Sequence, residues 1–345
     1  MKMKTRNKKT NYTNHELLTA DGITVDLNLA MKCEMGHDPD SLLGNGFLCR
    51  GSGGILVGQS GVGKSTFAFQ MACHFALGKD FFGLKCSNGP LKVLLVQSEN
   101  DAREIAEVLQ SVTEEWKPRE REMVPQRLVV KIAWDKFGDN FAKFLRGAVT
   151  EHQPDLVIVD PLMGFLGADV SNNEEIALFL RSDVNGLLKD PPSGCKKFGI
   201  IFVHHTPKPS SVGKKGEKPS NATRKYDMLG AAEFINWARC IMRLELAVES
   251  GRAHFLIVKR GDRSGVPYHQ SEGEWGCTVA HASAKSNSKR RALRWEIPNA
   301  PVQSVPIDES GLEAAFPPAV PTHGAPASKK EARNHWPKIA VKMES

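Results

Sequence analysis

The segment that most constrains this chain is a glycine-rich nonapeptide that begins at Gly58. It reads GQSGVGKST and fits the pattern G-x-x-x-x-G-K-S/T. The apolar run at 55–57 precedes it as a strand, and residues 67–72 follow with the spacing of a helix. A strand, a glycine loop and a helix in this order form a phosphate-binding loop, in which backbone N–H groups and the positive end of the helix face an anion. A turn that fits the pattern by chance is the alternative, and the flanking strand and helix argue against it.

The residue types in this loop indicate a bound nucleoside triphosphate, with ATP and Mg²⁺ as the expected cofactors. Lys64 would reach the β- and γ-phosphates, and the Ser65 hydroxyl would bind Mg²⁺. The predicted nucleotide-binding residues of the loop are Gly58, Gln59, Ser60, Gly61, Val62, Gly63, Lys64, Ser65 and Thr66.

Composition and charge exclude several classes of protein. The 345 residues contain no apolar run of about 18, so we expect no membrane span, and the basic segment 1–14 lacks the apolar core of a secretory signal. Seven scattered cysteines without C-x-x-C spacing are typical of reduced thiols, which predicts a cytoplasmic protein. The net charge of +7 is concentrated at 2–9, 208–225 and 285–294, which suits a polyanion partner. Ordinary solubilising charge explains the two tails equally well.

Changes in composition predict three regions: a basic, largely disordered segment at 1–40, an ATPase domain at 41–280, and a Pro/Ala-rich basic tail at 281–345, mostly disordered with room for one short helix. Within 41–280, strands alternate with helices, which predicts an α/β fold with a mostly parallel central sheet flanked by helices. The predicted strands are 55–57, 91–97, 127–133, 156–159, 198–203, 240–246 and 253–259. The predicted helices are 101–116, 140–153, 173–189 and one that begins near 230.

Two acidic residues follow predicted strands and fit the chemistry of phosphoryl transfer. Asp160 ends the apolar run 156–159, where a phosphate-loop enzyme keeps the carboxylate that supports its magnesium ion. Glu99 follows the strand at 91–97, where a carboxylate could orient and deprotonate the attacking water. The alternatives are a loop-capping Asp160 and a Glu99 that only contributes charge at a helix start. We favour the catalytic interpretation of both.

A histidine pair and a basic pair end two further strands. His204 and His205 lie where open α/β sheets bind ligands, and strand alternation lets one of them face the site; we choose His205 as a sensor of the γ-phosphate. Solvent exposure is the alternative. Lys259 and Arg260 end the strand at 253–259, and if that strand lies at the sheet edge they could reach the nucleotide of a neighbouring subunit as an arginine finger. A basic hairpin or a DNA contact fits these two residues equally well.

The motif order resembles the RecA-like ATPases, and within them the AAA-family branch of plasmid RepA-type hexameric replicative helicases. The segments that carry the resemblance are GQSGVGKST, VLLVQSEND, DLVIVDPLMGFLGADVSNNEE and GIIFVHHTPKP, and it covers roughly residues 40–280. The resemblance implies Lys64 and Ser65 as phosphate and magnesium ligands, Glu99 as catalytic base, Asp160 as the Walker B acid, His205 as sensor, and Lys259 with Arg260 as the pair that enters a neighbour's site.

The sequence departs from the family at one point. The family often carries Arg immediately before a Gly-Ser pair, whereas here Leu229 precedes Gly230 and Ala231 replaces the Ser. The finger role is therefore open between Arg239, Arg260 and Arg263.

We therefore expect a Mg²⁺- and ATP-dependent motor that forms a ring, expected to be hexameric, on single-stranded DNA. It would act as a helicase in replication of a plasmid, phage or integrated element, with a separate loader or initiator protein. The basic loop 206–226 would line the channel and follow the DNA backbone. The main alternative is a regulatory ATPase that acts as a nucleotide-dependent switch on DNA or protein. A small-molecule kinase is disfavoured because the sequence has no arginine-rich lid segment.

Overall fold

The computed structural model describes residues 11–13, 15–20, 24–34, 38–167, 172–205, 232–248, 251–270, 273–282 and 293–298. The predicted loop 206–226, the family departure at 229–231 and most of the two terminal segments lie outside the described residues.

A large mixed sheet forms the centre of the molecule. Its strands are β3 (Gly53–Gly58), β4 (Val93–Gln97), β5 (Leu128–Ile132), β6 (Leu156–Asp160), β7 (Gly199–His205), β8 (Cys240–Leu246), β9 (Arg252–Lys259), β10 (Tyr268–His269), β11 (Glu274–His281) and β12 (Trp295–Glu296). The spatial order is β10-β11-β9-β8-β3-β7-β6-β4-β5, and β12 pairs with β11. The six strands from β5 to β8 in this order are parallel, and the others are antiparallel. The predicted mostly parallel sheet is confirmed.

Helices cover both faces of the sheet, as crossover connections require. They are α1 (Leu27–Ala30), α2 (Lys64–Ala76), α3 (Ala102–Thr113), α4 (Pro118–Arg127), α5 (Asp139–His152), α6 (Leu162–Leu166), α7 (Asn173–Leu178), α8 (Asn185–Lys189) and α9 (Ala232–Trp237). A π-helical turn, Phe179–Val184, joins α7 to α8, so the predicted helix 173–189 is continuous. A short 3₁₀ turn covers Gly261–Arg263, and β1 (Ser41–Leu43) pairs with β2 (Leu48–Cys49) in a separate two-stranded sheet.

Two apolar layers bury the two faces of the parallel strands. Leu56 and Val203 pack towards α2 on one face, whereas Val57 and Phe202 pack towards α5, α8 and α9 on the other. Because both faces are covered, these strands are apolar at every position rather than at every second one. That is why the sequence shows them as continuous apolar runs.

The structure adds elements that the sequence did not predict and corrects one premise. Strand β9 lies between β8 and β11, so it is not an edge strand, the position that would let Lys259 and Arg260 reach a neighbouring subunit most easily. Helix α4 and strands β1, β2, β10 and β11 were not predicted. Strand β12 falls within the predicted tail, yet Trp295 is buried in the core, so residues 293–298 belong with the sheet. No helix within the described residues combines the length and the apolar character needed to cross a membrane.

Candidate active site

The glycine loop connects β3 to α2 at the carboxyl edge of the parallel strands. Gly61 (φ +81°) and Gly63 (φ +91°) adopt left-handed conformations that L side chains rarely reach. A Cβ on Gly61 would meet open space, whereas a Cβ on Gly58 would collide with the Leu244 carbonyl oxygen. Gly63 is the N-cap of α2 and makes no side-chain cap hydrogen bond, so the positive end of a 13-residue helix faces the loop.

Lys64 is buried beside this loop at 3% exposure. Its ammonium donates a hydrogen bond to the Gln59 carbonyl oxygen at 2.7 Å and lies 3.0 Å from Nδ1 of His205. Burial lowers the pKa of Lys64 to about 8, and the nearby carboxylates of Asp160 and Glu99 oppose this decrease. The side chain therefore keeps its positive charge at neutral pH.

Asp160 ends β6 and lies beside Gln97 of β4 in the parallel register. Its carboxylate is 3% exposed and accepts a hydrogen bond from the Ser65 hydroxyl. Burial raises the pKa of Asp160 to about 6; the Ser65 hydrogen bond opposes this shift and the charge of Glu99 adds to it. The predicted pair of magnesium-binding residues is thus brought together in space.

Glu99 is exposed in the turn between β4 and α3. Asp101, not Glu99, is the N-cap of α3, and it forms a capping box with Glu104. The charge of Glu99 acts on both Lys64 and Asp160, which places its carboxylate near the phosphate loop. The cap role that competed with catalysis is filled by another residue.

The two histidines at the end of β7 face opposite sides of the sheet. His205 contacts Lys64, and burial together with the Lys64 charge lowers the pKa of His205. A neutral imidazole fits an Nδ1 that accepts from an ammonium group. His204 is buried on the other face, with its ring 4.8 Å from the ring of Phe234. The structure thus brings His205, the member chosen from strand alternation, to the phosphate loop.

Lys259 and Arg260 lie at the opposite, amino edge of the parallel strands, because β9 runs antiparallel to β8 and Lys259 pairs with Ile241. Lys259 donates to the carbonyl oxygens of Ile235 (2.9 Å) and Ala238 (2.6 Å) at the end of α9. Arg260, at φ +65°, donates to the Gly46 carbonyl oxygen at 2.9 Å. The structure does not bring either residue to the phosphate loop of its own chain.

The other two finger candidates lie at the same amino edge. The backbone N–H of Arg239 donates to Gly53, the first residue of β3, at 2.8 Å. The guanidinium of Arg263 lies beside Gly46, where a Cβ would be 3.0 Å from its Nη1. All three arginines therefore lie across the sheet from Lys64.

The donor set at the carboxyl edge fits a magnesium nucleotide. Mg²⁺ prefers oxygen ligands and keeps several waters, and the Ser65 hydroxyl with the Asp160 carboxylate supplies oxygen at one point. The open space at Gly61 and the uncapped start of α2 leave room and N–H groups for phosphate oxygens. The described residues contain no separate cluster of three or more His, Cys, Asp or Glu side chains that could hold a metal.

Comparison with known proteins agrees with this geometry. A family profile described as an AAA domain matches residues 34–211, just over half of the chain. The chain belongs to this AAA-domain family. Among solved structures, an ATPase domain resembles this AAA-domain protein with 11% sequence identity and a TM-score of 0.46, over 72% of this chain and 86% of that one. No curated protein shows significant similarity to the sequence. The family and the strand–loop–helix geometry together identify a P-loop ATPase domain of RecA-like fold.

Sequence reasoning missed one residue at the site of this AAA-domain protein. Trp295 packs against Gly63 and donates its indole N–H to the Thr66 hydroxyl at 3.1 Å. The signal that could have found it is the alternation of apolar Leu293, Trp295 and Ile297 with polar Arg294 and Glu296, which is typical of a strand. The proline-rich composition that follows concealed it.

Proposed function

We propose that this AAA-domain protein is a Mg²⁺-dependent ATPase motor of the RepA-type branch, which forms a ring on single-stranded DNA and serves replication of a plasmid, phage or integrated element. The observation that carries the proposal is the convergence of Lys64, Ser65, Asp160 and His205 at one edge of the sheet, with Glu99 beside them. These residue types at these positions are those that phosphoryl transfer to water requires. The ATPase domain in this proposal comprises 41–280 together with 293–298.

The chain's own residues divide the chemistry between them. Lys64 neutralises charge on the transferred phosphoryl group, while Ser65 and Asp160 hold the ion on its far side. Bound Mg²⁺ supplies further neutralisation of the phosphate oxygens. Glu99 takes the proton of the attacking water, and its exposed position leaves it accessible to that water. His205 contacts Lys64 from the strand that leads into the basic loop 206–226, so it is placed to report the state of the γ-phosphate to that loop.

The position of the arginines supports a shared site. Arg239, Arg260 and Arg263 lie at the amino edge, away from the phosphate loop of the same chain. A P-loop enzyme commonly uses an arginine to neutralise the transition state, supplied within the chain or by another molecule. An assembly in which the amino edge of one subunit meets the carboxyl edge of the next would supply it in trans.

The test is a strand-displacement assay combined with a measurement of particle size, each with and without ATP. The proposal predicts ring-sized particles and ATP-dependent displacement of a labelled strand, with both Glu99→Gln and omission of ATP as controls that abolish displacement. Hydrolysis and a nucleotide-dependent change of size without displacement would favour the regulatory ATPase instead. A protein that neither hydrolyses ATP nor changes size would contradict both.

A further inference from the structure

Trp295 links the C-terminal part of the described chain to the phosphate loop. It lies in β12 opposite His281 of β11, and the two rings are 4.0 Å apart. The side chain is 3% exposed, which is low for so large a residue. Its ring also meets Phe67 of α2 edge to face at 5.7 Å. The indole is therefore held on several sides beside the start of α2.

Hydrogen bonds attach this strand to the first turns of α2. The backbone N–H of Trp295 donates to Oε1 of Gln70 at 2.7 Å, and Nε2 of Gln70 donates back to the Trp295 carbonyl oxygen at 2.9 Å. Gln70 is itself buried. A buried amide that is satisfied in both directions fixes the orientation of the two elements, because the loss of either bond would leave a polar group unpaired.

The indole N–H continues this attachment into the loop. It donates to the Thr66 hydroxyl at 3.1 Å, and that hydroxyl donates to the Gly63 carbonyl oxygen at 2.9 Å. A Cβ on Gly63 would lie 2.7 Å from Cζ2 of Trp295, so the ring packs directly on the loop backbone. The turn from Gly63 to Thr66 is thus held from one side by a single side chain.

We propose that Trp295 is a positioning residue for nucleotide binding, which acts through the Thr66 hydroxyl on the turn that receives the phosphates. The inference rests on the proposed ATPase function. The backbone N–H groups of a phosphate loop cradle the α- and β-phosphates, which ATP and ADP share. Loss of the Trp295 hydrogen bond therefore weakens the binding of both nucleotides by the same factor. It leaves the hydrolytic step, which depends on Glu99, unchanged.

The test compares Trp295→Phe with the matched control Trp237→Phe. Trp237 also donates its indole N–H, to Oδ1 of Asn185 at 3.0 Å, but it packs on the face of the sheet opposite to α2. Both changes remove one indole hydrogen bond and keep an aromatic ring. We expect Trp295→Phe to raise the dissociation constants of ATP and ADP by roughly five-fold, the effect of one hydrogen bond, with kcat at saturating ATP unchanged. Trp237→Phe should leave both constants unchanged.

A second pair of variants keeps the inference testable if Trp295→Phe does not fold. Thr66→Val removes the acceptor and should weaken the binding of ATP and ADP to a similar extent, whereas Thr66→Ser keeps the hydroxyl and should bind as the wild type does. Where both positions can be changed together, the two losses should not add.

Three outcomes would overturn the inference. Unchanged nucleotide affinity in Trp295→Phe would show that the hydrogen bond is only structural. An equal loss of affinity in Trp237→Phe would show a general effect of stability, which thermal unfolding of both variants would reveal. A wild-type protein that binds neither nucleotide would contradict the proposed function as well, whereas normal wild-type binding with an unaffected variant would contradict this inference alone.

Discussion

The two edges of the central sheet carry charge in opposite ways. At the carboxyl edge, Lys64 is buried between the carboxylates of Asp160 and Glu99, and each sign of charge has a partner within the chain. At the amino edge, cations gather around a cavity of about 480 Å³: Arg50, Lys189, Lys197 and Arg239. Arg50 pairs with Asp155 at 2.6 Å, and burial with the like charges of Lys197 and Arg239 lowers the pKa of Lys189.

The comparison separates a site that is complete from one that needs an outside partner. Opposite charges at the carboxyl edge hold one another in place before any ligand binds, which is the preorganisation that catalysis uses. Clustered positive charge at the amino edge costs stability and is relieved by an anion. In the proposed ring, that anion is the nucleotide of the neighbouring subunit.

The largest expected effect comes from the cation at the complete edge. Lys64→Ala removes a buried charge from the transferred phosphoryl group and should abolish detectable turnover, a loss on the order of 4 kcal/mol or more, about a thousand-fold. Steady-state ATP hydrolysis measures it. Lys92→Ala, an exposed lysine beside β4, is the control and should hydrolyse ATP normally. Residual turnover in Lys64→Ala near the wild-type level would remove the carboxyl edge as the catalytic site.

Mixing of inactive chains tests whether the amino edge serves another subunit. Arg260→Ala alone should lose roughly 10³-fold in hydrolysis, and mixing it with Lys64→Ala chains should restore part of the activity, because some interfaces then pair an intact loop with an intact arginine. The same mixtures with Arg239→Ala and Arg263→Ala identify the finger. Lack of rescue in chains shown to assemble together would contradict a shared site.

Lys259 is expected to behave differently from Arg260. Its ammonium is bonded to two carbonyl oxygens at the end of α9, so Lys259→Ala should lower the melting temperature more than Arg260→Ala does. Differential scanning fluorimetry compares the two variants. An equal melting temperature would mean that these bonds contribute little and that Lys259 is available to a neighbour.

Removal of the proposed base should slow hydrolysis without preventing binding. Glu99→Gln should bind ATP with near wild-type affinity and hydrolyse it at least about a hundred-fold more slowly, since a positioned base is lost. Glu104→Gln is the matched control, because Glu104 completes the capping box of α3 and should affect stability only. Wild-type hydrolysis in Glu99→Gln would assign the base to another residue.

A smaller effect is expected in the pH dependence of stability without nucleotide or metal. Because burial raises the pKa of Asp160 to about 6, the folded chain holds a proton between about pH 4 and 6 that the unfolded chain has released. The free energy of unfolding should therefore fall as the pH rises through this window. Asp160→Asn should lose this part of the slope in urea unfolding curves measured at several pH values. An unchanged slope would mean that Asp160 is ionised throughout.

The smallest effect concerns the basic loop 206–226, outside the described residues. Replacement of Lys214, Lys215 and Lys218 by Ala should weaken single-stranded DNA binding about equally across sequences. It should also flatten the log–log salt dependence by roughly 0.7 for each lysine–phosphate interaction that is removed. Hydrolysis without DNA should stay nearly unchanged while stimulation by DNA falls. If affinity and salt slope both stay the same, the lysines only solubilise the loop.

The extent to which sequence predicted this molecule follows from how local each signal is. The phosphate loop and the strand that ends at Asp160 are contiguous, and burial on both faces makes each apolar strand self-evident in the sequence. His205 could be chosen over His204 because alternation along one strand fixes which side each faces. These predictions needed no knowledge of distant residues.

The parts that failed depend on contacts between distant residues. Whether β9 is an edge strand depends on β11, which pairs with it only after residues 261–273 have intervened. Helix α4 contains Pro118 and Pro125 and buries only Val124, so it has almost no apolar periodicity to read. Trp295 acquires its role from Gln70 and Thr66, and no local pattern connects them.

The pairing of Trp295 with Gln70 has a consequence for how the protein is made. The two residues are 225 positions apart, so at a ribosomal rate of about 5–20 residues per second roughly 11 to 45 s separate their synthesis. During that time α2 exists without the strand that satisfies its buried amide. The nascent chain can build its phosphate loop early, but it gains the side chain that holds that loop only after nearly 300 residues have been translated.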